Sequence, residues 1–340
     1  MRIRRVERNA ENRMANWVSA GCGVIANELA QAMEKRGQKL YGVVNRTPEK
    51  AVAFAEKYGV QKVFTSFQDV CADPAVDIIY ISTPHNTHIH FLRKALAAGK
   101  HVLCEKPLAP TPKQTAELFE AAKEKGVFLM EAYAYLHSPF VTALKKEIEE
   151  GTIGEIRYIE SQFLTSYYDK SNIRLHKENY GGAVYDLGCY NTSMLLKLLE
   201  DMPSQVKAMA QYDENGVDVY TAALLNYEND VRASITCGMI FEKDKPHRYD
   251  RLYIHGTKGD IKSDTKFNQE GNASYTLIIE GKEQIRNVYC PHNYQLEIEQ
   301  LGRCIIEGET PVVTADFSIK NAKILDAILQ EIGYFESNVM

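Results

Sequence analysis

The chain is 340 residues long, with 45% hydrophobic residues, 25% charged residues and a formal net charge of −5. That length suits two domains better than one core, and the charge leaves no basic footprint for nucleic acid. No apolar stretch approaches the ~20 residues that cross a bilayer, so neither a membrane nor a nucleic-acid partner is expected. The cysteines (Cys22, Cys71, Cys104, Cys189, Cys237, Cys290 and Cys304) are scattered, with no C-x-x-C pair. They read as free thiols of a reducing, cytoplasmic compartment, and give no cysteine-built metal site.

Residues 1–13 carry five arginines and no apolar core, so they form neither a signal peptide nor a strand. They are expected to be a disordered or extraneous extension, with the globular pattern starting at Met14. After it, Asn16-Trp17-Val18-Ser19-Ala20 reads as a strand, Gly21-Cys22-Gly23-Val24-Ile25-Ala26 as a turn, and Asn27–Arg36 as a helix. Strand, G-x-G-x-x-A and helix in that order are the dinucleotide-binding fingerprint. Gly21 permits the tight turn, Gly23 admits the pyrophosphate to the backbone, and Ala26 allows close helix packing. The residues from Gly21 to Ile25 would hold phosphate at the helix N-terminus.

The second strand, Lys39–Val44, ends in Asn45-Arg46 where an acid commonly holds the ribose 2′-hydroxyl of NAD. Arg46 suits a 2′-phosphate or an adenine face, which favours NADP(H) while leaving NAD(H) open. It could instead simply open the next helix, in which Pro48 suits the first turn. Helices at Pro48–Tyr58, Phe67–Ala72, His88–Ala98 and Thr111–Lys125 then alternate with strands at Asp77–Ser82, before Glu105, and at Val127–Met130. That rhythm is an α/β, doubly wound parallel sheet of Rossmann type over residues 14–134.

Past Pro139 the rhythm changes. A helix at Phe140–Glu150 leads into strands at Ile156–Phe163, Gln205–Tyr212, Ala222–Tyr227, Val231–Ile240, Arg251–His255, Ser274–Ile279 and Glu283–Tyr289. Consecutive short strands predict a large, mostly antiparallel, open-faced sheet in an α+β domain over residues 135–340. Helices at Tyr294–Ile306 and Ile319–Ile332 close the pattern.

Two stretches carry chemistry. Val102-Leu103-Cys104 is a buried strand end stopped by Pro107, which leaves Glu105 and Lys106 at the mouth of the sheet. A lysine there can fix a charge, donate a proton or tune a neighbour; an incidental surface pair is the plainer alternative. In Gly181-Gly182-Ala183-Val184-Tyr185-Asp186-Leu187-Gly188-Cys189-Tyr190 a helix starts near Val184, and Asp186 and Tyr190 share a face. A dipole-favoured acid beside a core tyrosine would look the same.

Together these pieces resemble the Gfo/Idh/MocA oxidoreductases. The matching residues are the Gly21–Ala26 turn, Ser82-Thr83-Pro84-His85-Asn86-Thr87-His88, Glu105-Lys106-Pro107, and Gly181-Gly182 with Asp186 and Tyr190, all in the family's order. Tyr190 stands where histidine is frequent, as in the branch of dihydrodiol dehydrogenase, D-xylose dehydrogenase and glucose-fructose oxidoreductase. The resemblance implies Lys106 as catalytic lysine, Tyr190 as acid/base and Asp186 as its orienting partner. It places Thr83, Pro84, Asn86 and His88 beside the nicotinamide, with Glu105 fixing cofactor and lysine.

A dehydrogenase or reductase acting on a sugar, polyol or cyclic diol is therefore expected. A family-type NAD-dependent glycoside hydrolase and a non-catalytic dinucleotide sensor are the alternatives. Leu136-His137-Ser138-Pro139 replaces an arginine-aromatic-polar-Pro segment common in that branch. Tyr133, Tyr135, His137, Tyr167, Tyr168 and His247 are candidate pocket residues. The resemblance also implies a homodimer or homotetramer paired through the C-terminal sheet.

Overall fold

The computed structural model describes residues 15–243 and 247–336; the expected extension over residues 1–13 lies outside them. The chain divides into two units: residues up to Ala134 with Tyr294–Ser318, and Tyr135–Asn293 with the residues from Ile319 on.

In the first unit the strands are β1 (Trp17–Ala20), β2 (Gly42–Val44), β3 (Lys62–Val63), β4 (Ile78–Ile81), β5 (His101–Glu105) and β6 (Leu129–Ala132). Helices α1 (Val24–Lys35), α2 (Pro48–Tyr58), α3 (Phe67–Ala72), α4 (His88–Ala97) and α5 (Pro112–Lys125) connect them. Every pairing is parallel and the order is β3-β2-β1-β4-β5-β6. The order reverses between β1 and β4, which is where open α/β sheets place a ligand. β1 and β4 are buried at every residue, and all but Ser19 of those residues are apolar, as in central parallel strands.

The helices obey their end signals. Pro48 occupies the first turn of α2, and Gly59 closes it in the left-handed region at φ 60°. α1 begins at Val24, directly after Gly23, three residues ahead of the start that composition suggests at Asn27. Its buried face is Ala26, Leu29, Ala30, Ala32 and Met33, the stripe of an amphipathic helix. β2 is shorter than the expected Lys39–Val44, and β3 consists of two exposed residues that no apolar pattern marks.

The second unit starts with α6 (Pro139–Glu149) and β7 (Ile156–Ser166), and continues through α7 (Cys189–Leu199). Its further strands are β8 (Gln205–Tyr212), β9 (Asp218–Asn226), β10 (Arg232–Phe241), β11 (Arg248–Gly256), β12 (Gly259–Ser263), β13 (Gly271–Ile279) and β14 (Lys282–Cys290). They form one sheet in the order β14-β13-β12-β11-β7-β10-β9-β8. Only the β7–β10 pair is parallel, so the sheet is mostly antiparallel as expected. β12 is the strand that the sequence pattern misses.

One face of this sheet is buried, by α7 against β7 and β10 and by α6 against β14. Ile159, Phe163, Ala233, Ile235, Leu252 and Ile254 point into that core. The other face is open, and large apolar side chains stand on it: Met209 is 73% exposed, Leu224 64%, Ile285 68% and Tyr289 68%. Two helices complete the chain, α8 (Asn293–Glu307) and α9 (Ala315–Glu331).

Candidate active site

In the first unit the candidate residues start with the turn between β1 and α1. Gly21 has φ +121°, and a Cβ there would meet Ser82 Oγ at 2.8 Å and Ser82 O at 2.9 Å. This glycine is therefore required by the β1–β4 approach itself. Gly23 differs: a Cβ on it would have no atom within 4 Å. The space over Gly23 is open, at the head of a helix whose first N–H groups have no intrahelical acceptor. Val24 stands 78% exposed beside it. These residues fit a dinucleotide pyrophosphate, the open position being the cradle a side chain would fill.

Cys22 and Ile25 flank that space, both partly exposed. Burial, opposed by Lys50, pushes the Cys22 thiol up to about 11, so it stays protonated and unreactive at neutral pH. At the end of β2, Asn45 Nδ2 donates to Thr47 O at 3.0 Å and so holds the turn into α2. Arg46 is exposed and makes no side-chain hydrogen bond or ion pair among the described residues.

The loop after β4 is a 3-10 turn, His85–Thr87, in which Thr87 Oγ1 donates to Pro84 O at 2.7 Å. Thr83 and Pro84 are partly exposed and Asn86 is exposed. His88 is not on this surface. It is fully buried, with Nε2 2.8 Å from Thr83 O and Nδ1 3.1 Å from Pro107 O. Burial pushes its pKa down against the pull of those carbonyls. His88 is thus a brace that ties the Thr83 loop to the Lys106-Pro107 loop.

Lys106 itself is 8% exposed and has buried carboxyl groups for neighbours. Glu105, at the end of β5, accepts from Tyr80 Oη at 2.6 Å. Glu131, on β6, accepts from the backbone N–H of Leu108 at 2.8 Å, which fastens the chain just past Lys106. Burial raises Glu131 to about 7, partly offset by the Ser318 hydroxyl, the Leu108 N–H and the charge of Lys106. Burial and the nearby Glu105 together push Glu297, on α8, well above the carboxylate range. The Glu105-Lys106 pair is therefore no incidental surface feature.

The second unit carries its own cluster of candidate residues. Val184–Gly188 forms a π-helical turn ahead of α7, with Cys189 N–H reaching back to Val184 O. The expected plain α-helical start is corrected accordingly; the wide turn is of the kind that collects at functional sites. Gly182, at φ +110°, makes it possible, since a Cβ there would overlap Asp218 Oδ1. Asp218 Oδ2 accepts from Val184 N–H at 2.9 Å and from Thr221 Oγ1 at 2.9 Å, anchoring the turn from β9.

Asp186 lies in that turn, and Tyr190 follows it as the second residue of α7. Asp186 is 4% exposed; it pairs with Arg174 Nε at 2.8 Å and accepts from Tyr168 Oη at 3.2 Å. Tyr190 is partly exposed, in a cluster of rings whose centroids lie 5.5 Å (Tyr135), 5.4 Å (Phe163) and 5.3 Å (Phe267) away. Tyr135 Oη also donates to the Tyr190 carbonyl at 3.2 Å. Phe267 is held by its own N–H, which donates to Asp250 Oδ2 at 2.9 Å, and Asp250 in turn forms a two-pronged pair with Arg248 at 2.7 and 2.5 Å.

The comparisons with known proteins agree with this architecture. Residues 15–133 match the family model for an oxidoreductase family with an NAD-binding Rossmann fold, and residues 141–262 match the Gfo/Idh/MocA C-terminal domain. The chain is 32% identical over 334 residues to trans-1,2-dihydrobenzene-1,2-diol dehydrogenase of Mus musculus, covering 93% of this chain and 96% of the relative. The chain belongs to the Gfo/Idh/MocA family. It is also 28% identical to D-xylose 1-dehydrogenase (NADP(+)) 2 of Haloferax volcanii, over 92% of this chain and 94% of that one. A crystal structure of a 3-ketoreductase from Actinomadura kijaniata, in complex with NADP and TDP-benzene, shares the fold with a TM-score of 0.86. That match is 24% identical and covers 94% of this chain and 98% of the other.

Within this Gfo/Idh/MocA chain, the structure gathers the Gly21–Ile25 turn, the Thr83–Asn86 loop and Lys106 at the carboxyl ends of β1, β4 and β5. It sets Asp186 on the wide turn and Tyr190 just past it, in the first turn of α7. Of the candidate pocket residues, Tyr133 and Tyr135 are fully buried, while Tyr168 bonds Asp186. Sequence reading passes over Arg174, Arg248, Asp250 and Phe267. They reach Tyr190 or Asp186 only through strand pairing and loop closure, and no local motif marks them.

Proposed function

We propose that the protein is an NAD(P)-dependent oxidoreductase that interconverts a carbinol and a carbonyl carbon on a sugar, polyol or cyclic diol. The observation that carries this reading is the open Gly23 position at the head of α1, set where the strand order reverses. The diol and D-xylose dehydrogenases among its relatives support the substrate class. Residues 14–134 would bind the dinucleotide, and the domain after them would bind substrate and pair with a second copy through its open sheet face.

A bound nicotinamide dinucleotide supplies the hydride acceptor or donor. The chain supplies the rest. Gly21, Cys22, Gly23, Val24 and Ile25 seat the pyrophosphate, with Thr83, Pro84 and Asn86 bordering the ring. Exposed Arg46 offers its guanidinium to a 2′-phosphate, so NADP(H) is favoured. Tyr190 Oη takes the hydroxyl proton during oxidation and returns it during reduction. Lys106 assists as a fixed ammonium that favours the phenolate, an assignment resting on the family resemblance. Asp186 orients the site through its bonds to Arg174 and Tyr168.

Nicotinamide absorbance with a panel of aldoses, polyols and cyclic diols tests the activity. Tyr190→Phe and Lys106→Met are each expected to cut kcat by ~10²–10⁴-fold while nucleotide binding persists. NADPH should bind more tightly than NADH, and Arg46→Ala should erase a preference of roughly tenfold. Equal turnover in Tyr190→Phe would sink the acid/base assignment, and unchanged selectivity in Arg46→Ala the cofactor assignment.

A further inference from the structure

We propose that Tyr334 is a positioning residue for the site at Asp186 and Tyr190. Its hydroxyl, brought in by the stop of α9, locks the peptide unit between Gly181 and Gly182 so that Arg174 meets Asp186. The inference rests on Asp186 and Tyr190 forming the working site, and it concerns the second unit alone. Gly333 takes the left-handed region at φ +68°, and its N–H donates to Gln330 O at 3.0 Å. The Tyr334 N–H donates to Leu329 O at 2.9 Å. These two bonds are the usual glycine stop of a helix, and they fold Tyr334 back against α9. Tyr212 Oη, at the end of β8, donates to Ile332 O at 2.6 Å and ties the same stretch to the sheet. Tyr334 is buried, with its ring edge-on to Tyr185 at 5.5 Å between centroids. Burial pushes its pKa up, so the hydroxyl is a donor at neutral pH.

Tyr334 Oη donates to Gly181 O at 2.8 Å, across 153 residues of chain. That carbonyl lies in the same peptide plane as the Gly182 N–H, which donates to Arg174 O at 2.8 Å. A plane held at both ends cannot turn over without losing both bonds. Both glycines are buried, so water is no substitute for either partner. The lock matters because glycine flanks the plane on each side, and its backbone resists such a flip least. The same turn reaches Asp186 twice. Gly182 O accepts from the Asp186 N–H at 3.1 Å, and Arg174 Nε pairs with the Asp186 carboxylate at 2.8 Å. A Cβ on Gly181 would overlap the Arg174 carbonyl, so the two segments are in direct backbone contact. Tyr334 thus stands one peptide plane away from both members of the Arg174–Asp186 pair.

The test separates positioning from stability. Tyr334→Phe keeps the ring and removes the lock. It should lower kcat by roughly tenfold, as a displaced orienting group does, and leave dinucleotide affinity at the wild-type value. Tyr212→Phe removes a hydrogen bond of the same kind from the same stretch but spares Gly181. It should lower the melting temperature comparably and leave kcat unchanged. In an Asp186→Asn background the kcat effect of Tyr334→Phe should vanish, whereas its effect on melting should persist. Hydrogen exchange across residues 181–186 should quicken in Tyr334→Phe while β10 keeps its wild-type rates. If that variant does not fold, exchange in the wild type carries the test: the Gly182 amide should be as protected as those of β10.

Unchanged kcat in Tyr334→Phe overturns the proposal. So does an equal kcat loss in Tyr212→Phe, a loss undiminished by Asp186→Asn, or a Gly182 amide that exchanges freely in the wild type. Wild-type turnover in Tyr190→Phe would instead remove the acid/base role, and exchange at Gly182 would still decide whether Tyr334 locks the turn.

Discussion

Two glycines show how differently a missing side chain can be used. At Gly182 the backbone sits at φ +110° and a Cβ would overlap Asp218 Oδ1. Gly182→Ala should therefore destabilise the fold by roughly 3 kcal/mol, through left-handed strain and the displaced carboxylate. Gly23 has φ −75° and open space over it. Gly23→Ala should leave the melting temperature of the ligand-free protein nearly unchanged, since alanine tolerates that backbone. Dinucleotide affinity should nevertheless drop by about tenfold or more, because the methyl occupies the phosphate's approach. Thermal melts and nucleotide fluorescence titration read the two effects separately. A Gly23→Ala protein that binds as well as wild type would refute the cradle.

Elements in this protein are fastened by buried carboxyl groups. Asp218 holds the π turn at Val184, and Glu131 holds the loop after Lys106 at Leu108. Burial raises both to about 7, against backbone bonds and the hydroxyls of Ser318 (at Glu131) and Thr221 (at Asp218), which pull the other way. Each acid binds its proton more tightly in the folded chain than in the unfolded one. Their combined contribution is therefore greatest below about pH 4, shrinks as pH rises toward 7, and is level above that. Each costs on the order of 3 kcal/mol at neutral pH. Glu131→Gln and Asp218→Asn should flatten the decline in melting temperature across that window. An unaltered slope in both variants would mean the carboxyls ionise normally.

The same elements show what a linear reading can reach. The strand–turn–helix at Trp17–Lys35, the run Ile78–Ile81 and the helix Pro48–Tyr58 announce themselves through periodicity and end signals. β3 has no apolar residue buried, and β12 offers only Ile261 and Ser263 to the core, so neither makes a pattern. Lys106, Asp186 and Tyr190 stand out because glycine, proline and charge cluster around them. His88 stands out for the same reason, yet its burial between two carbonyls makes it a brace. Arg248, Asp250 and Phe267 become visible only once β11 pairs with β7, where Asp250 lies opposite Phe163.

At the scale of the molecule, the open sheet face calls for a cover. Met209 and Leu224 stand near one edge of the eight-stranded sheet, and Ile285 and Tyr289 near the other. Apolar groups this exposed are typical of a surface that meets another. If a second copy covers the face, Met209→Lys combined with Ile285→Lys should convert the oligomer to monomer in light scattering without lowering the monomer's helix content. A wild-type protein that is monomeric at micromolar concentration would overturn that expectation.

The path of the chain has a consequence for synthesis. The nucleotide-binding unit is not finished at Ala134, because Tyr294–Ser318 returns to it and contributes the buried Glu297, Leu301, Ile305 and Val313. A ribosome making this protein releases the six parallel strands early. The segment that completes their unit emerges only after the whole eight-stranded sheet. Until then Tyr80 and Glu105 await their neighbour Glu297 on α8. Newly made chains thus carry the six parallel strands without the segment that completes their unit until the second sheet has been synthesised.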